Sequence, residues 1–180
     1  MTQRRLILAL LACVTAAFAS AASSAEEELK AAVVLSFARF TTWSGEYSDP
    51  SKPLIIGVTQ DRDILDALRR HAVNTSINGR SVSVVEIRKS SDCAPCALIY
   101  FGSNASRLTT EILRDLQSRP VLTIGETSGF LKAGGMVNVF EEDGRLRFEV
   151  DTDTLSDRGI AISSKLLRLG YICKSGGERK

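Results

Sequence analysis

Two cysteines separated by two residues, Cys93-Ala94-Pro95-Cys96, form the sharpest chemical feature of the chain. That spacing lets two thiols close a small ring whose disulfide is reversible, as in thiol oxidoreductases and in redox sensors. An oxidoreductase places such a pair at the N-terminus of a helix, where the dipole stabilises the thiolate. Here the pair runs straight into the apolar stretch Ala97 to Phe101, which reads as a strand. The favoured reading is therefore a structural or redox-sensing pair, and an exported thiol-disulfide oxidoreductase is the alternative. A third thiol, Cys173, completes the set once the leader described below is removed. Either Cys93 pairs with Cys96 and Cys173 is left over, or Cys173 pairs with one of the two.

Other reactive combinations are incomplete. His71 is the only histidine and sits beside Arg69 and Arg70 at the end of an amphipathic run, where a helix C-terminus favours a cation. No base is in view for a nucleophilic Ser or Cys. Two thiolates without a second Cys or His pair do not make a tetrahedral zinc site. Asp151, Asp153 and Asp157 begin like a calcium loop, but Ser156 stands at position six and Ile162 at position twelve, where Gly and Glu are required. Gly125-Glu126-Thr127-Ser128-Gly129 follows a strand and could present amides to an anion, yet it lacks the phosphate-loop lysine and the dinucleotide spacing. The pattern points to no metal and no cofactor.

The 180 residues open with Arg4 and Arg5, the apolar run Leu6 to Leu11 and small residues ending at Ala21 or Ala25, the form of a secretory signal peptide. The run is shorter than the roughly 20 apolar residues that span a bilayer. Cys13, read as a lipid-bearing first residue, is the competing interpretation. Cleavage after residue 25 removes two of 23 basic residues and none of 21 acidic ones, leaving a net charge of zero. A neutral exported chain gives no basis for nucleic-acid binding or for membrane insertion after cleavage. Residues 26–180 are enough for a single domain.

The elements that must position these groups alternate. From Glu27 to Phe40, apolar or small residues recur as Leu29, Ala32, Val33, Ser36, Phe37 and Phe40, one helical face; Ala31, Val34, Leu35 and Ala38 widen it. A helix apolar over so much of its circumference must be covered on two sides, by its own domain or partly by a partner. Leu54 to Val58 reads as a strand, followed by a helix capped by Asp61. Asn78-Gly79 turns into a strand with Val82, Val84, Val85 and Ile87. After the Ala97 strand, Ser106 caps a helix with Leu108, Ile112 and Leu113, and Pro120 opens the strand Val121 to Ile124. Then Asp143-Gly144 separates two alternating runs, Met136 to Phe140 and Arg145 to Val150, as a hairpin. A short helix over 152–158, a last one capped by Ser163 or Ser164, and a frayed tail from Lys174 complete the chain. The expected class is α/β, a mostly parallel sheet between helices with a C-terminal antiparallel hairpin.

Four stretches in order resemble the YfiR family of periplasmic proteins: Lys30 to Trp43; Cys96 to Phe101; Val121 to Gly125 with Phe130 and Gly134 to Asn138; and Arg147 to Val150 with Gly159 to Leu167. The resemblance implies an α/β protein, usually a homodimer, that binds the periplasmic domain of an inner-membrane diguanylate cyclase and inhibits it until envelope or redox stress. Some members instead accompany histidine kinases or outer-membrane receptors. It implies no catalysis. The best-known member uses disulfides from four cysteines, against three here, of which a Cys just before the Ala97 strand corresponds. Candidate partner-binding residues are Arg39, Trp43 and Tyr47, the aromatics serving either as anchors or as caps of the domain's own core. Arg145 and Arg147 on the hairpin are candidates for holding an anion or an acidic partner, against a plain solvated face.

Overall fold

The computed structural model describes residues 24–103, 107–174 and 178–179. The signal-peptide reading and Cys13 lie outside the described residues, apart from the last two positions of the leader, and so does the Ser106 cap. Helix α1 covers residues 24–40, and β1 (Thr41–Trp43) follows it directly. The next unit is β2 (Leu54–Thr59), α2 (Arg62–Ala72), β3 (Ser76–Ile77) and β4 (Arg80–Ile87). Asp61 caps α2 by accepting from the Ile64 amide at 3.0 Å. Both Asn78 and Gly79 take positive φ, 52° and 81°, as a tight hairpin turn requires.

A 3-10 turn, Ser90–Cys93, leads to β5 (Leu98–Phe101), α3 (Arg107–Asp115) and β6 (Leu122–Gly125). Every residue of β5 and β6 is buried, which is what a parallel strand covered on both faces demands. The hairpin β7 (Val137–Glu142) and β8 (Arg145–Asp151) turns through Asp143 and Gly144 at φ 52° and 68°. It is followed by α4 (Thr152–Asp157), β9 (Ile160–Ile162), α5 (Ser164–Leu167), β10 (Tyr171–Lys174) and β11 (Glu178–Arg179).

The main sheet runs β11-β10-β8-β7-β6-β5-β2-β4-β3. Strands β4, β2, β5, β6 and β7 are mutually parallel, β8 is antiparallel to β7, and β10 is parallel to β8. A small separate sheet pairs β1 with β9, Trp43 opposite Ile160. The α/β class with its hairpin is thus observed. The chain from Lys174 differs from the frayed tail expected, because β10 adds to β8 and 178–179 turns back onto it.

The face of α1 also differs from expectation. Ala31, Val34, Phe37 and Ala38 are the buried positions, with Phe37 edge-on to Phe148 at 5.0 Å. Leu29, at 51% exposure, and Phe40, at 38%, point outward with Ala32, while Val33 and Ser36 are half-buried. The domain covers Phe37 of the principal stripe together with Ala31, Val34 and Ala38 of its widening, and leaves Leu29 and Phe40 exposed.

Candidate functional site

The thiol turn is built by a local capping pair. The Asp92 carboxylate accepts from the Arg88 and Lys89 amides at 3.1 and 3.2 Å, closing the 3-10 turn whose last residue is Cys93. The Cys96 amide then donates to the Cys93 carbonyl at 3.1 Å, and the Ala97 amide to Ile55 at 3.0 Å, which feeds the chain into β5 beside β2. Gly57 on β2 makes room: a Cβ there would stand 3.0 Å from the Cys96 sulfur and 2.9 Å from Ile87.

Over the turn lies a lid. The Tyr47 hydroxyl donates to the Ala94 carbonyl at 3.2 Å, the Arg119 guanidinium donates to the same carbonyl at 2.7 Å and also to the Tyr47 oxygen. Cys93 and Cys96 are 2% and 0% exposed. Burial pushes Cys93 up to about 11 and Cys96 up to about 12; Arg119 pulls both down, but by less. A thiol is nucleophilic as its thiolate, so this pair is held in its unreactive form.

Cys93, Cys96 and Cys173 are all free, buried thiols. Cys173, fully buried on β10, has its sulfur 3.8 Å from the Glu149 carboxylate. Strands β8, β7 and β6 separate it from β5, so the sulfurs stand four strand steps apart, roughly 19 Å along the sheet. A disulfide needs Cα atoms within about 7 Å, and the pairing of Cys173 with Cys93 or Cys96 is thereby removed.

Trp43 and Tyr47 are buried at 7% and 6% exposure. The Trp43 indole donates to the Ala97 carbonyl at 2.9 Å. These aromatics are committed to the domain's own core at the entrance of β5, and their side chains have no free surface to anchor a partner. Arg39 is exposed at the C-terminal end of α1, and its carbonyl accepts from the Asn78 side chain at 3.3 Å. Arg145 is exposed and faces Glu142 in register across the hairpin; Arg147 stands 4.0 Å from the Glu142 carboxylate, which also accepts from Tyr171 at 2.6 Å. The hairpin arginines therefore stand beside a carboxylate of their own chain.

The remaining sequence candidates have structural duties. Asp151 caps α4, accepting from the Asp153 and Thr154 amides and the Thr154 hydroxyl. His71 ends α2 with its Nε2 2.5 Å from Glu28, which also binds Arg70 and so ties α2 to α1. Among the described residues no group of three or more His, Cys, Asp or Glu could hold a metal ion. In the Gly125–Gly129 loop, Gly125 lies against Phe130 and Glu126 brings a carboxylate that would repel a phosphate.

That carboxylate belongs to a cluster the sequence reading missed. Lys30 Nζ meets Glu126 at 2.8 Å, Glu26 at 2.9 Å and Glu27 at 3.6 Å. Spacings of three and four place Glu26, Glu27 and Lys30 together on a helix, but nothing local announces that Glu126 joins them. Burial pushes the Glu27 and Glu126 carboxyls up against the pull of Lys30, and neighbouring acids add to the rise; the Lys30 pKa is raised by Glu126, Glu26 and Glu27 despite its burial. Arg80 was also missed. It is 9% exposed and donates to the carbonyls of Lys52, Tyr47 and Pro53 at 2.8, 2.8 and 3.1 Å, pinning the loop between β1 and β2.

No helix among the described residues is long and apolar enough to cross a membrane. Among curated proteins no relative matches. The family model described as YfiR/HmsC-like matches residues 27–171, from the first turns of α1 to the start of β10. A match over that much of the length, on the α/β architecture just described, places the chain in the YfiR/HmsC-like family.

Proposed function

We propose that the chain is a periplasmic regulator, exported by its N-terminal leader, that inhibits a membrane-bound diguanylate cyclase through protein–protein contact. The observation that carries this reading is α1, where Leu29 and Phe40 stay exposed while Ala31, Val34, Phe37 and Ala38 fill the domain's own core. Membership in the YfiR/HmsC-like family supports it. So does the sealed state of the thiol pair, which disfavours the thiol-disulfide oxidoreductase. A homodimer is part of the same proposal, as is a histidine kinase as the substitute partner if no cyclase responds.

Gating by the redox state of Cys93 and Cys96 belongs to this reading too. Oxidised glutathione then accepts the two electrons and the two thiol protons and leaves as two molecules of reduced glutathione, the pair closes as a disulfide, and inhibition is lost. Cys93→Ser combined with Cys96→Ser makes inhibition insensitive to that oxidant.

The test is cyclic-di-GMP output in cells that carry the cyclase with and without the chain. Output falls when the chain is expressed with its leader and does not fall when residues 1–25 are deleted. Equal output in all three strains refutes the reading.

A further inference from the structure

Cys93 and Cys96 open and close a single turn, the Cys96 amide donating to the Cys93 carbonyl at 3.1 Å, so their Cα atoms lie within about 7 Å of each other. The Cys96 thiol donates back to the carbonyl of Asp92, the residue before Cys93, at 3.7 Å, which turns the second sulfur toward the first. The thiols feel each other, since ionisation of Cys93 opposes that of Cys96. Both are buried, yet Ala94 and Pro95 between them are exposed, so the pair lies just beneath the surface. A cavity of about 230 Å³, lined in part by Tyr47, Ile55, Ala94 and Pro95, opens beside the same turn.

Two thiols so placed suit one class of ion. Thiolate sulfur selects soft cations such as Cu(I) over hard divalent ones. Cu(I) and its analogue Ag(I) are satisfied by two sulfurs in line, which span about 4.5 Å at a metal–sulfur distance of roughly 2.3 Å. Zn(II) needs four ligands, and among the described residues no group of three or more His, Cys, Asp or Glu could supply them. Charge selects the same ion. Two thiolates around one monovalent cation carry a single net negative charge. The Arg119 guanidinium, held over the turn by the Ala94 carbonyl at 2.7 Å, favours the charged form of both thiols. Two sulfurs, one ion and Arg119 together are neutral, so the burial that opposes a bare thiolate does not oppose this assembly. A divalent ion in the same place would leave a buried positive charge.

We propose that Cys93 and Cys96, in their reduced state, bind one soft monovalent cation, Cu(I) or its analogue Ag(I), through two sulfurs with Arg119 as the counter-charge. On binding, each S–H bond gives its proton to solvent, two sulfur–metal bonds form, and the metal keeps its oxidation state. This inference does not depend on the regulator reading. It gives the pair a second fate, exclusive of the disulfide, because sulfurs joined through a metal cannot close on each other.

The experiment titrates the reduced mature chain, under argon, with Cu(I) held by bicinchoninate as the competing chelator. The chain takes one equivalent of copper, and X-ray absorption at the copper edge shows two sulfurs and no nitrogen or oxygen ligand. Cys93→Ala and Cys96→Ala each weaken binding by about a hundredfold or more, because half the ligand set is gone. Cys173→Ala leaves stoichiometry and affinity unchanged. Arg119→Met weakens binding by about 10–100-fold, the effect of losing an outer partner of a metal site, and Arg119→Lys, which keeps the charge, weakens it less. Circular dichroism and melting temperature check that each variant is folded. Where a cysteine variant does not fold, the absorption spectrum of the unmodified chain decides alone. Failure of the unmodified chain to take copper from bicinchoninate, a nitrogen or oxygen ligand at the copper, or binding that survives replacement of both Cys93 and Cys96 overturns the proposal.

Discussion

Native thiol reactivity gives the sharpest test of how this site is built. An ordinary thiol titrates near 9, whereas Cys93 is pushed up to about 11 and Cys96 to about 12 by burial. At pH 7.5 an unperturbed thiol is about 3% thiolate, and a shift of two units cuts that roughly a hundredfold. The Tyr47 and Arg119 lid over Ala94 adds steric protection. Labelling of the folded chain with a chromogenic disulfide reagent is therefore at least about a hundredfold slower than in urea, with Cys93 and Cys96 resolved by peptide mass analysis. The folded-state rate climbs with pH and has no plateau below pH 10. A plateau below pH 8, or native labelling within threefold of the unfolded rate, would mean a stabilised thiolate and would reinstate the oxidoreductase.

The same shifts carry a stability consequence. Both thiols have folded pKa values above their unfolded ones, so the stability tied to them is fully present below the unfolded value and lost as pH rises through the folded one. Melting temperature is flat up to about pH 8.5 as far as these groups decide it, then falls between about pH 9 and 12; a fall of equal size in the Cys93→Ala, Cys96→Ala double variant contradicts this. Phe37→Ala removes a fully buried ring packed on Phe148 and lowers urea-unfolding stability by about 3–5 kcal/mol. Phe40→Ala, on the open face, changes it by no more than about 0.5 kcal/mol; comparable losses would mean that both faces are covered in the monomer. Arg80→Met withdraws three donors from the carbonyls of Tyr47, Lys52 and Pro53. It costs about 1–3 kcal/mol and shifts Trp43 fluorescence to the red, and unchanged emission would separate Arg80 from the aromatic seat.

The legible parts of this fold are those with local causes. Asp61, Asn78-Gly79, Asp143-Gly144 and Ser163 act within a few residues through a cap or a positive φ, and each does what its type predicts. The apolar runs of β5 and β6 announce burial on both faces. Strand β1 was not legible, because Thr41 to Trp43 extends only by pairing with β9 more than a hundred residues later. Strand β10 likewise exists through its parallel neighbour β8. In α1 the periodicity was plain but ambiguous: two apolar stripes share one helix, and only the packing of Phe37 on Phe148 says which is inside. The site followed the same division. The Cys93 and Cys96 spacing could be read directly, while their inertness depends on Gly57, Tyr47 and Arg119 from three other segments.

Trp43 and Tyr47 show how a residue type can be right and its role misread. Large amphipathic rings just after an apolar helix are what a docking surface would use, and their polar tips do make recognition contacts, but with their own chain. Trp43 holds the carbonyl of Ala97 and Tyr47 that of Ala94, the residues on either side of Pro95 and Cys96. The segment leaving α1 is thus fastened to both ends of the short stretch that carries the second thiol. Since β1 continues α1 without a break at Phe40, these contacts belong to the same continuous segment as the exposed end of the helix. The thiol pair and the apolar helix, separate features in the sequence, are joined in the folded chain through Trp43 and Tyr47.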